Sequence, residues 1–347
     1  LRLRKSMEEF LNKHQASLDP KMLKLCQQFF DGINEYAATM PLPPEFSLLG
    51  LDRPEPFELV DGMAISGYMS LSFAEGLIGD LLFSDLEKEF GADKVALLRR
   101  GATGDNLPVP DLNSDAANKV SWNKLLSPLK ILEESFGLFH GSNSFVLDGS
   151  RTESGKPILS NDPHIAFSSP GTWFEAHLKS PTFEIYGHFI PLVPFAVLGH
   201  NQHKAWGITM SEVDDLDLYE ETLNDKGEVI VGEQSFAVTT EEELIKVRFS
   251  KDQAIKVSRS IHGPFLNDTM MINKVQEKPI AIAWSFHHPD NDIVSAFYHL
   301  SRANNVTEFR SALSSAAAPA LNISWIDESG DIAWQVVGKI PLRRQGI

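Results

Sequence analysis

Gly141-Ser142-Asn143-Ser144-Phe145-Val146-Leu147 is the stretch on which the fold of this chain turns. Upstream of it, apolar residues recur at helical spacing. Met7, Phe10 and Leu11 stand at i, i+3 and i+4, and so do Met22, Leu25 and Cys26, which gives each segment one apolar stripe. Downstream, short runs that alternate or are β-branched predict strands: Ser144–Leu147, Phe183–Tyr186, Phe195–Leu198, Val229–Val231, Glu243–Phe249, Ile255–Val257, Ile280–Trp284 and Ile332–Val337. Gly, Asn, Asp or Pro bounds most of them. The period therefore changes from about 3.6 to about 2 within residues 140–144. One helix is expected inside the strand-rich part, over Val306–Ala316, with Asn304 or Asn305 near its cap.

In the helical half, Asp19 is an N-cap candidate with Pro20 at the first helical position, for a helix running toward Met40. Leu42-Pro43-Pro44 and Pro54-Glu55-Pro56 interrupt the chain. Asp61 to Phe90 predicts one or two further helices ending near Gly91, and residues 101–115 a loop. The change of period divides the chain into a mainly helical part, 1–141, and a β-rich part, 142–347.

Of the 347 residues, 42% are apolar and 22% charged, enough to bury a core and unlike a disordered, collagenous or coiled-coil chain. Net charge is −16, which disfavours a nucleic-acid partner, because phosphate backbones reward clustered Lys and Arg. No run reaches about 18 consecutive apolar residues, so no membrane span is expected. Cys26 is the single cysteine, which excludes an internal disulfide and a cysteine-based zinc site. The charged start Leu1–Lys5, the missing initiator Met and a stop at Ile347 soon after the strand-like run Asp331–Ile340 lead to the expectation of a piece of a longer chain, without a signal peptide.

Several motifs dissolve on inspection. Between Gly149 and Gly155 lie five residues where a phosphate loop has four, and Pro157 stands where Ser or Thr would hold magnesium. A hairpin turn is expected there instead. Ser121 and Lys124 have Ser-x-x-Lys spacing, but no Lys-Thr-Gly follows. His200 and His203 lack a carboxylate to complete a zinc triad and read as turn residues. Asp214, Asp215, Asp217 and Glu220 form an acidic cluster without the glycine and terminal Glu of a helix-loop-helix calcium loop. Carboxylates so close repel unless a cation or donors offset the charge. Spacing alone fits a calcium ion or a solvated acidic turn equally well.

Gly141 to Val146, followed by Gly155-Lys156-Pro157-Ile158-Leu159-Ser160-Asn161-Asp162-Pro163-His164, resembles the penicillin acylase family of N-terminal-nucleophile hydrolases. Further segments match in the same order. They are Gly199-His200-Asn201 with Ala205-Trp206-Gly207-Ile208-Thr209, the run Asp214–Tyr219, His262-Gly263-Pro264, and Ala320-Leu321-Asn322 with Asp327, Gly330, Ile332, Gly338, Pro341 and Arg343. Leu42–Phe46 and Pro54–Pro56 are similar to the family's small-subunit region.

The resemblance implies an α+β fold with an αββα sandwich core. It implies a precursor that begins before Leu1, extends several hundred residues past Ile347, is periplasmic or secreted, and is cut into a small and a large subunit that stay together as a heterodimer. It implies self-cleavage between Gly141 and Ser142 and amide hydrolysis by Ser142, whose freed α-amine serves as base. Such an amine has a pKa near about 7.7–8.0. By the same match, the Asn322 amide and the Met210 backbone N–H stabilise the oxyanion, each such donor being worth about 3 kcal/mol. His164 stands near the amine, where it donates or orients, Arg343 helps to order the site around the amine, and Ile165 and Ile208, with Phe145 nearby, line the acyl pocket.

Aliphatic walls favour an alkyl chain, so the expected substrate is a small N-acyl molecule of the acyl-homoserine lactone or β-lactam type. Calcium held by Asp214, the Leu216 carbonyl, Asp217 and Glu75 is implied as a brace, and no organic cofactor is implied. The competing expectation is a non-catalytic, calcium-braced binding relative. Retention of Gly141, Ser142 and Asn322 argues against it, since binding needs none of them.

Overall fold

A computed structural model describes residues 2–73, 86, 87, 90, 91, 95, 139–165, 169, 171–211, 213–268 and 278–343. Glu75, the helical expectation over 74–85 with most of its continuation to Phe90, the expected loop at 101–115, and Ser121 and Lys124 lie outside the described residues. The chain divides into two compact units that cut across the change of period at residue 141. One comprises Leu1–Phe73, Leu138–Val213 and Ser285–Ile347, the other Ala74–Gly137 and Asp214–Trp284.

The first unit opens with helices α1 (Leu3–His14), α2 (Pro20–Thr39), α3 (Pro44–Leu48) and α4 (Leu59–Ser72). The Asp19 carboxylate accepts from Lys21 N at 2.7 Å, with Pro20 opening α2 where its missing N–H costs nothing. Met22, Cys26 and Phe30, one per turn, are the buried stripe of α2, and burial pushes the Cys26 thiol up to about 12.

Strands β1 (Phe139–Leu147) and β2 (Ile158–Ile165) form an antiparallel hairpin joined by the turn expected near Gly149–Lys156. A six-stranded antiparallel sheet follows. It is built from β3 (Phe174–Ser180), β4 (Phe183–Phe189), β5 (Leu198–His200), β6 (Lys204–Met210), β13 (Leu321–Asp327) and β14 (Ile332–Val337), in the order β14-β13-β6-β5-β4-β3. Helices α5 (Ile293–Leu300) and α6 (Val306–Ala312) complete the unit. The Asn305 side chain caps α6 by accepting from Glu308 N at 2.9 Å.

Alternation assigns the two faces of this sheet. Trp206, Ile208, Ile323 and Trp325 are buried on one face, where Phe309 of α6 packs on Trp325 with ring centroids 5.2 Å apart. The opposite face carries Gly207 and Ser324, and the β1–β2 hairpin lies on it: Ser144 Oγ donates to Ser324 Oγ at 3.1 Å. Lys204, only 6% exposed, is a buried cation. Its ammonium donates to the Ala303 carbonyl just past α5 and sits 5.6 Å from the Trp325 ring centroid. Burial, followed by the nearby Arg302 charge, pulls its pKa down to about 8, against the opposing pull of Glu308.

The second unit contains β7 (Leu216–Glu220), β8 (Val229–Val231), β9 (Gln234–Phe236), β10 (Thr239–Ile245), β11 (Gln253–Arg259) and β12 (Ile280–Trp284), paired β7 with β12, β8 with β9 and β10 with β11. Here His262-Gly263-Pro264 is a structural clasp. Glu221, 3% exposed, accepts from Ser260 Oγ at 2.5 Å and lies 2.9 Å from His262 Nδ1, while His262 stacks on Tyr219 at 4.1 Å. Gly263 has φ +148°, and a Cβ there would fall 1.9 Å from Ile282 O, so no other residue fits.

Three expectations are corrected. Phe195–Leu198 is not a strand, since only Leu198 of that run enters β5. Its apolar residues serve burial, and Val197 gives its carbonyl to the Trp206 indole at 3.1 Å. The strand expected over Glu243–Phe249 is Thr239–Ile245, ending before Phe249, which has φ +58° and is 92% exposed. The helix expected over Val306–Ala316 stops at Ala312 and tightens into a 3₁₀ turn, Leu313–Ser315. Helix α5 gave no sequence signal because seven of its eight residues are buried, leaving no polar stripe to reveal the period.

Candidate active site

Ser142 and Asn322 lie 180 residues apart in sequence, and the stacking of the hairpin on the sheet sets them at one level. Ser144 meets Ser324, and further along Asp148 approaches Gly330, where a Cβ would lie 3.9 Å from Asp148 Oδ2. Strand β1 therefore runs in the same direction as β13. Two residues back from Ser144 is Ser142, and two back from Ser324 is Asn322. The ladders agree, for Ser142 pairs with Pro163 in β2 and Asn322 pairs with Thr209 in β6.

Beside the Ser144–Ser324 contact, the Asn161 side chain fastens the two layers. Asn161 of β2 accepts from Ile208 N and donates to Ile208 O, both at 2.8 Å, and also donates to Asn143 O at 2.8 Å. This closeness depends on Gly207, because a Cβ there would stand 2.8 Å from Asn161 Cβ. Gly207→Ala is expected to destabilise the chain by about 1–3 kcal/mol through overpacking, read as a lower denaturant midpoint than wild type. Sequence reasoning quoted Asn161 and Gly207 without giving them this role. A glycine inside a strand is the signal by which it could have been found, since it marks a close approach.

Around Ser142 the backbone is unusual. Gly141 has φ +128°, which side chains with a Cβ rarely adopt, and the Ser142 hydroxyl donates to the Gly141 carbonyl oxygen at 2.7 Å. The nucleophile candidate is thus held against the carbonyl group that its motif marks for cleavage. Asn322 is fixed at both ends. Its Nδ2 donates to Met210 O at 2.8 Å and to Thr209 Oγ1 at 3.1 Å, while its Oδ1 accepts from the Trp334 indole at 3.2 Å. The Asn322 amide and the Met210 main chain therefore share one corner of the sheet.

The structure separates other candidates. On β1 and β2 the half-buried face carries Ser142, Ser144, Asn161 and Ile165, and the exposed face carries Phe145 and His164. Phe145, 54% exposed, therefore points away from Ser142. His164 pairs with Gly141 through the main chain, but its ring turns outward to Asp162 at 3.0 Å. That hydrogen bond, with the His164 charge, holds the Asp162 carboxyl below its usual range. Arg343 is exposed in the segment after β14.

Ile208 points to the helical side of the sheet and lines a narrow apolar cavity of about 40 Å³ with Leu321, Met69 and Phe73 from the α4 end, and Ile293 and Phe297 from α5. Ile165 and Phe145 are not among its walls. The part played by α4 and α5 could not be read from the sequence, because neither is adjacent to the motifs.

Asp214, Asp215 and Asp217 belong to the second unit, with Asp215 and Leu216 buried and Asp217 paired with Ala283. Among the described residues no group of three or more His, Cys, Asp or Glu side chains could hold a metal ion. Two of the three carboxylates expected to bind calcium are described, and Glu75 is not.

The fold of helices and antiparallel strands is similar to that of a solved acylase. The thermostable penicillin G acylase from Alcaligenes faecalis matches with a TM-score of 0.52 at 24% identity, over 59% of this chain and 36% of that one. The penicillin amidase family model matches residues 1–347, and the chain belongs to that family. It is 26% identical to the acyl-homoserine lactone acylase QuiP of Pseudomonas aeruginosa, over 94% of this chain and 40% of that protein. It is 27% identical to penicillin acylase 2 proenzyme of Pseudomonas sp. strain SE83, over 76% of this chain and 35% of that protein. The chain spans about two-fifths of the length of the curated relatives it matches.

Proposed function

We propose that the whole protein is a self-processing amidohydrolase that removes the acyl group from an N-acyl substrate through Ser142. The observation that carries this reading is the level placement of Ser142 and Asn322, with the Ser142 hydroxyl already against the Gly141 carbonyl.

In the first stage Ser142 Oγ attacks the Gly141 carbonyl carbon. Its proton passes to the departing amide nitrogen, and the peptide bond becomes an ester. Water hydrolyses the ester, which leaves a carboxylate on Gly141 and a free α-amine on Ser142. That amine, with a pKa near about 7.7–8.0, then takes the hydroxyl proton as Oγ attacks the substrate amide. Asn322 Nδ2 and the Met210 N–H donate to the oxyanion. Collapse expels the leaving amine, protonated by the Ser142 ammonium, and water releases the acid from the acyl-enzyme. Cleavage after Gly141, which pairs with His164, sets the new amine next to the His164 main chain, so His164 orders the site through its backbone, and Arg343 supports it from the segment after β14.

The activities for which the relatives are named and the apolar cavity beneath Ile208 support an alkyl acyl chain, hence an acyl-homoserine lactone ahead of a penicillin. At about 40 Å³ the cavity has room for about three water-sized groups, so a longer chain has to open it between α4 and α5. The same reading includes the complete αββα sandwich, a periplasmic or secreted heterodimer of small and large subunits, and calcium as a structural brace on Asp214, the Leu216 carbonyl, Asp217 and Glu75. The chemistry above uses no metal.

Mass spectrometry of the full-length product, combined with turnover of acyl-homoserine lactones of short, medium and long chain and of penicillin G, tests the reading. Two chains, the second starting at Ser142, with faster release of alkyl acids, are expected. A single uncut chain that still hydrolyses amides would refute it.

A further inference from the structure

We propose that Trp334 is a positioning residue that sets the orientation of the Asn322 side-chain amide, and so decides whether the corner beside Met210 presents a donor. This inference rests on the oxyanion role proposed for Asn322. Strand β14 is the edge of the six-stranded sheet, and Trp334 pairs with Ser324, one diagonal step from Asn322, which itself pairs with Val336. The indole is 63% exposed, so burial does not explain its placement, yet its Nε1 donates to Asn322 Oδ1 at 3.2 Å.

The chemistry of the partners makes that contact directional. An asparagine amide has an acceptor end and a donor end of nearly equal shape, whereas an indole N–H can only donate. With Oδ1 on Trp334, Nδ2 faces Met210 O and Thr209 Oγ1. The amide turned end for end would set its NH₂ against the indole N–H and its oxygen against Met210 O, two repulsive contacts in place of attractive ones. In the observed orientation one Nδ2 hydrogen stays on Met210 O, and the other, resting on Thr209 Oγ1, is free to shift to a developing oxyanion. Trp334 thus acts through Asn322 without touching the reacting atoms.

The test uses the full-length processed protein and an acyl-homoserine lactone substrate. Trp334→Phe removes the N–H, and replacement of Trp334 by benzothienylalanine keeps the ring shape while putting sulfur in place of the N–H. Both are expected to lower kcat about tenfold and to change KM less than about twofold. In an Asn322→Ala background neither is expected to lower kcat further, because nothing is left to orient. Wild-type kcat in the benzothienylalanine variant, beside an impaired Asn322→Ala, would overturn the orienting role alone, and so would equal losses in both backgrounds. Wild-type kcat in Asn322→Ala would instead overturn the oxyanion assignment, and this proposal with it.

Discussion

Ser142→Ala is expected to yield a folded, uncut chain with no measurable amidase turnover, the largest effect of any single change considered for this protein. In the proposed mechanism one oxygen atom serves two reactions, the break at Gly141 and the attack on substrate. The contact that motivates this is the Ser142 Oγ to Gly141 O hydrogen bond of 2.7 Å. Removing the hydroxyl costs little in folding, because Ser142 is only half-buried and its bond is to the preceding residue. Stability and activity therefore come apart, and circular dichroism beside mass spectrometry separates them. A chain starting at residue 142 in the Ala variant would show that some other group makes the cut.

Asn322→Ala is expected to lower kcat by about 10²–10³-fold in a processed enzyme, with a smaller change in KM. In the proposed role the amide donor meets the substrate oxygen most strongly once that oxygen is an anion, so the loss falls on the transition state. The variant also frees Met210 O, Thr209 Oγ1 and the Trp334 indole, all of which Asn322 holds in the resting site. Water reaches the indole, which is exposed, so stability changes little. Unchanged kcat in correctly processed protein would remove Asn322 from the mechanism.

Local signals in the sequence read well wherever one residue fixes the backbone. The Asp19-Pro20 start of α2 and the Asn305 cap of α6 stand where expected, because cap chemistry involves only neighbours within three residues. Val229–Val231, Ile280–Trp284 and Ile332–Val337 match their strands end to end, since each β-rich run is bounded by turn residues. Phe195–Leu198 misled for the opposite reason: an apolar run reports burial, and burial does not need a ladder. Resemblance alone proposed Ser142, Asn322 and Met210 as site residues, and their order along the chain does not say which strand faces which.

By itself, then, the sequence determined the caps, most strand positions and the family to which the chain belongs. Tertiary structure decided which faces meet. Strand alternation defines two faces but leaves open which is inward, and a shift of one residue would exchange them. Stacking of β1 over β13, held by Ser144–Ser324 and by Asn161 on Ile208, turned Ser142 inward and Phe145 and the His164 ring outward. Pairing of β13 with β14 brought the Trp334 indole to Asn322, and the approach of α4 and α5 made the cavity under Ile208. These contacts join residues tens to hundreds apart, and their geometry follows from register and packing, which no local pattern encodes.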